Sequence, residues 1–157
     1  MGRPSTFLAV VSLGLAALPA AGPQGAFPWK PGDAPPTVAG VPLGASRGRL
    51  DSLLGKADRL QPLGPGATAL FFSARGVSVV YSTADGAAVI YLLRRDAGDI
   101  GGVRLGDAND SVLAKWGPPS DAAEGTALYT AGGWAVVVGV DSIGKAVVQL
   151  GLGRRAN

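Results

Sequence analysis

The 157-residue chain predicts an α+β fold: two tandem copies of a short helix plus a three-stranded antiparallel meander, with the helices on one sheet face. Three observations carry this expectation. VAGVPLG (Val38–Gly44) recurs as IGGVRLG (Ile100–Gly106), and a further glycine, Gly55 or Gly117, follows each closing glycine by eleven residues. The segments between these glycines have one apolar face at helical spacing: Leu50, Leu53 and Leu54 in the first, Val112, Leu113 and Trp116 in the second. Each helix is then followed by three runs rich in β-branched and aromatic residues, separated by turn-forming sequence.

The helices are expected to start at polar caps, Ser46 in the first copy and Asp107 or Asn109 in the second. They are expected to stop at Gly55 and Gly117, where a left-handed residue is wanted, with Pro118–Pro119 blocking continuation of the second. Two helical turns are too short to be stable alone, so these faces must bury against a sheet, with Leu54 and Trp116 as its innermost contacts. The strands expected in the first copy are Ala67–Ser73, Gly76–Ser82 and Ala87–Arg94. Those of the second are TALYT, WAVVVGV and AVVQLGL. Period-2 alternation puts Val77, Val79 and Tyr81, matched by Trp134, Val136 and Val138, on one side. Ser78, Val80 and Ser82, matched by Ala135, Val137 and Gly139, lie on the other.

Residues 1–22 have the layout of a signal peptide: Arg3, an apolar run Phe7–Leu18, then Pro19 and small residues. That run is twelve residues long, short of the ~20 that a spanning helix needs. Export is therefore expected, to a periplasmic or secreted location, with no stable membrane insertion after the segment is removed. Residues 23–36 carry five prolines and read as a semi-rigid linker, in which Trp29 either docks on the domain or contacts a partner. Repeat 1 then spans 37–98 and repeat 2 spans 99–157.

The repeat resembles that shared by the beta-lactamase inhibitor protein and the SmpA/OmlA small outer-membrane proteins. The motif stands here as VRLGDANDSVLAKWGPPSD followed by LYTAGGWAVVVGV. It stands in weaker form as VPLGASRGRLDSLLGKADR followed by LFFSARGVSVVYSTADG. The resemblance covers about residues 38–152 and implies a concave, partner-binding sheet face opposite the helices. The chain departs from SmpA/OmlA in having no lipobox cysteine, and from the inhibitor in having no disulfide, so no specific target is carried over.

Chemistry is narrowed by absence. With neither histidine nor cysteine, Ser-His-Asp and Cys-His catalysis, thiol redox work and nearly every zinc site are excluded. Asp96, Asp99, Asp107 and Asp110 gather near the junction of the copies, but they lack the order of a known calcium loop and read as caps and turns. No cofactor is expected, and no enzyme. Net charge is +3, no run of like charges occurs, and nucleic acid is not an expected partner. The expected function is a non-catalytic module that binds another exported protein through its open sheet face. Phe72, Tyr91, Tyr129 and Gln149 would lie on that face, with Arg95 at its edge. The alternative is an envelope-maintenance domain whose arginine pairs, Arg94–Arg95 and Arg154–Arg155, contact peptidoglycan or an anionic membrane surface.

Overall fold

The computed structural model describes residues 25–155. The signal segment expected at 1–22 lies outside them. The described residues open with a strap, residues 25–36, that has no helix or strand and closes a turn at Lys30–Asp33, where the Asp33 N–H donates to the Lys30 carbonyl at 3.0 Å. A two-residue turn, Ala39–Gly40, follows, with both residues at positive φ and Val38 and Val41 hydrogen-bonded to each other. Helix α1 (Arg47–Leu54) comes next, then strands β1 (Arg59–Gly64), β2 (Ala67–Phe72), β3 (Val77–Ser82) and β4 (Gly86–Leu92). A second such turn at Gly101–Gly102 leads into α2 (Asn109–Trp116), β5 (Asp121–Ala123), β6 (Thr126–Ala131), β7 (Trp134–Val140) and β8 (Val147–Arg154).

All eight strands form one antiparallel sheet in the order β1-β2-β3-β4-β8-β7-β6-β5. This corrects the expectation of an α+β fold made of two copies of a helix plus a three-stranded meander. Among the described residues the protein is mainly β, with two α-helices of eight residues each against a single sheet. Two physical causes account for the difference. Strands β1 and β5 are edge strands, exposed along their length, and the first contains Pro62, so neither shows alternation or β-propensity. The inner edges β4 and β8 also satisfy each other's backbone groups, pairing Val89–Leu92 with Gly153–Leu150.

Both helices bury into one apolar cluster on one side of the sheet: Leu50 and Leu54 from α1, Val112 and Trp116 from α2. The sheet supplies Leu70, Phe72, Val77, Val79, Ile90, Val136, Val138, Leu150 and Leu152 to the same cluster. Ser46 caps α1 as expected, accepting from the Arg49 N–H at 3.2 Å. The second cap differs. Ala108 occupies the position before α2, and Asp107 instead accepts from the Arg104 N–H at 2.9 Å, holding the preceding turn.

The strap is docked rather than free. The Gly25 N–H donates to the Ala114 carbonyl at 2.8 Å, and the Trp134 indole donates to the Asp33 carbonyl at 2.9 Å. Trp29 docks on the domain, its ring centroid 5.5 Å from that of Trp134.

Candidate functional site

On the sheet face opposite the helices, Leu105 from the loop before α2 lines a groove beside Ser78, Tyr91 and Gln149. Pairing register decides what this face presents. Phe72 is opposite Val77 and Tyr129 is opposite Val136, and both partners point to the helix side, so Phe72 and Tyr129 do too. Each is 2% exposed. The expectation that they belong to the open face is corrected by one position. Their neighbours Phe71 and Leu128, opposite Ser78 and Val137, take those places. The Tyr129 hydroxyl donates to the Gly117 carbonyl at 3.0 Å, tying β6 to the end of α2, and burial pushes its pKa above the usual tyrosine value.

Tyr91 and Gln149 do lie on the open face, on the neighbouring central strands β4 and β8. The residue opposite Tyr91 is Gly151, and a Cβ built there would meet the Tyr91 ring at 2.5 Å. The ring therefore lies across bare backbone that no other residue type would leave open. Gln149 leans over Gly139 in the same way, within 2.7 Å of where a Cβ would stand. Nearer the β1 edge, the Arg59 guanidinium sits 3.8 Å from the centroid of the Phe71 ring, covering that aromatic with a cation–π contact.

Two shallow grooves meet at Tyr91. One, of about 300 Å³, is walled by Val89, Leu128 and Val137, with Arg154 and Arg155 at its end. The other, of about 280 Å³, is walled by Ser78, Leu93, Val148 and Gln149. Leu93 is 44% exposed and Val148 is 60% exposed, so the second groove carries uncovered apolar surface. Leu128 was missed in the sequence because its role depends on hairpin register. Val148 was missed because a register shift at Gly139/Val140 interrupts the alternation.

Arg95 does not reach these grooves as a free charge. Its guanidinium pairs with Asp107 at 2.6 Å and donates to the Leu105 carbonyl at 2.9 Å. The Asp107 carboxyl is held below the usual carboxylate range, first by the Arg104 N–H and then by Arg95. The other acids near the junction also serve the fold. Asp96 pairs with Arg94 at 2.8 Å, and Asp99 accepts from the Gly102 N–H at 2.8 Å. Among the described residues, no three acidic side chains are grouped so as to hold a metal ion. Among the same residues, no helix is long and apolar enough to cross a membrane.

No family model matches the chain, and no curated protein does. Solved structures share its fold. A cysteine-rich secretory protein from Staphylococcus aureus aligns over 85% of this chain and 51% of its own, at 16% identity with a TM-score of 0.60. An extracellular protein containing an SCP domain, from Bacillus anthracis, aligns over 78% of this chain and 47% of its own, at 11% identity with a TM-score of 0.61. The chain thus spans about half the length of each of these proteins. At such identities the likeness is one of fold, and each of the two solved proteins carries as much chain again outside it.

Proposed function

We propose that the protein is an exported, non-catalytic module that binds another exported protein through the open sheet face, with Tyr91 as its central anchor. The observation that carries this reading is the pair of grooves meeting at Tyr91, floored by glycine and flanked by the exposed Leu93 and Val148. Exposed apolar area around a tyrosine is what protein interfaces use, because the ring gives large contact area and a hydroxyl at low entropic cost. Export rests on the layout of residues 1–22, and the two solved proteins of like fold are described as secretory and extracellular.

The test places a photo-crosslinking amino acid at Tyr91 and, as a control, at the exposed Ile143 loop, and exposes both to envelope extract. A discrete adduct formed only from position 91, and suppressed by Leu93→Asp at unchanged melting temperature, supports the reading. Equal labelling from both positions refutes it. Arg155 at the groove end favours a second reading, contact with an anionic envelope surface, whereas Arg154, opposite Trp134, turns its guanidinium to the helix side beside Gly44. Salt separates the two, since arginine-led contact weakens steeply between low and moderate ionic strength and an apolar interface does not.

A further inference from the structure

The end of β8 places a guanidinium on the helix side of the sheet, beside the loop at residues 41–45. Arg154 stands opposite Trp134, a core residue, and its guanidinium lies against Gly44. A Cβ at Gly44 would come within 2.6 Å of the Arg154 Nη2, so the missing side chain is what leaves room for the charge. The loop itself is clamped to β4. The Gly44 N–H donates to the Ala87 carbonyl at 2.8 Å, and the Ala87 N–H donates to the Ala45 carbonyl at 2.9 Å.

The loop at residues 103–107 shows the same arrangement with its acid in place. There the Gly106 N–H donates to the Val147 carbonyl at 2.8 Å, and the Val147 N–H donates to the Asp107 carbonyl at 2.9 Å. Gly106 also has a guanidinium beside it, that of Arg95, 3.7 Å from where a Cβ would stand. Asp107 pairs with Arg95 at 2.6 Å and is itself anchored by the Arg104 N–H at 2.9 Å. When VPLGA is set against VRLGD, Ala45 stands at the place of Asp107 and Pro42 at that of Arg104. Proline has no N–H, so the first loop lacks both the acid and the donor that anchors it. What Asp85 of the neighbouring turn brings near is its backbone carbonyl, 3.8 Å from the Cβ position at Gly44. Among the described residues, no carboxylate pairs with Arg154.

The charge opens on a groove of about 400 Å³, walled by Pro35, Leu43, Gly133 and Trp134. A group that fills it has to be apolar over most of its surface and anionic at one point, and a cleft of this size suits a small molecule. A guanidinium already lodged against backbone loses little further freedom on pairing, and its bonds to a carboxylate are charge-assisted. We propose that Arg154 and this groove form a binding site for a small organic acid with an aromatic or branched aliphatic body. Its carboxylate takes on Arg154 the place that Asp107 takes on Arg95. The inference is independent of the open-face reading, since the two surfaces lie on opposite sides of the sheet.

The test titrates the folded protein with phenylacetate, and with the uncharged phenylacetamide as control. The readout is the indole N–H signal of Trp134 in proton–nitrogen correlation spectra, because Trp134 lines the groove, with the Trp116 signal as internal reference. Phenylacetate is expected to shift the Trp134 signal saturably, and phenylacetamide to bind at least tenfold more weakly. Arg154→Gln should weaken phenylacetate binding at least tenfold. Ala45→Asp supplies within the chain the acid that the second loop already has, so it should block phenylacetate to the same degree with no loss of melting temperature. Should Arg154→Gln fail to fold, Ala45→Asp alone decides. A shift that does not saturate, equal binding of acid and amide, or an Ala45→Asp protein that folds and binds phenylacetate as the parent does would each overturn the proposal.

Discussion

Replacing Tyr129 separates core from surface more sharply than any other change in this protein. The side chain is 2% exposed, and truncating a buried aromatic to alanine costs about 3–5 kcal/mol. Two features push the value upward. The ring stands edge-on to Trp116 at 5.1 Å and tilted on Phe27 at 5.4 Å, and such pairs add about 0.5–1.5 kcal/mol each beyond area. The hydroxyl bond to the Gly117 carbonyl contributes about 1 kcal/mol, and its loss leaves the carbonyl at the end of α2 without that donor. Tyr129→Ala is therefore expected to cost about 4–5 kcal/mol, or roughly 15–20 °C in melting temperature at about 4 °C per kcal/mol for a domain of this size. Tyr129→Phe keeps the ring and loses the bond alone, about 1 kcal/mol. Tyr91→Ala removes a half-buried ring from the open face and should cost about 1–2 kcal/mol. Chemical denaturation followed by far-UV circular dichroism measures all three at once. If Tyr129→Ala fell within about 1 kcal/mol of the parent, or matched Tyr91→Ala, the register that turns Tyr129 inward would be wrong.

The pH dependence of Tyr129 has a definite sign: burial raises its folded value, so its contribution is intact below pH of about 10 and is lost as pH rises past it. Alkaline unfolding should therefore be shallower in Tyr129→Phe. Asp107 has the opposite sign. Its lowered folded value means stability present above pH of about 4 and lost as pH falls, so Asp107→Asn should be less stable at neutral pH and flatter in acid titration. Gly151→Ala places a methyl where the Tyr91 ring lies, 2.5 Å from its Cδ1, and should cost about 1–3 kcal/mol while shifting tyrosine fluorescence; an unchanged melting curve would contradict the packing. Gly101→Ala meets Trp29 at 2.9 Å and Trp116 at 3.1 Å with φ at +58°, so a loss of about 1–3 kcal/mol and a looser strap, seen by tryptophan fluorescence, are expected.

Much of the local structure was legible in the residues themselves. Leu50, Leu54, Val112 and Trp116 announce the buried faces of the two helices because helical spacing is a property of the chain. Gly55 and Gly117 announce their ends for the same reason, both standing at positive φ where a side chain is strained. The six strongest strands could be read from β-branched runs, and the alternation in β3 and β7 sorted their faces correctly. The four-residue turns at Val38 and Ile100 stood out as a recurrence, and both close on paired backbone hydrogen bonds.

What the residues did not carry was pairing. Whether Phe71 or Phe72 faces the open side depends on which residue of β3 lies opposite, and a slip of one residue reverses every face. The union of β4 with β8 joins segments some 60 residues apart by backbone hydrogen bonds, which carry no side-chain signature. Strands β1 and β5 exist because a neighbour offers them a ladder, not because their own sequence prefers one. Likewise Phe27 looked like part of a spacer, and only the convergence of Trp116, Tyr129 and Trp134 from three separate elements gives it a cage to fill. Local propensity is set by each residue and its near neighbours, whereas faces, edges and grooves arise from long-range pairing that only the folded chain decides.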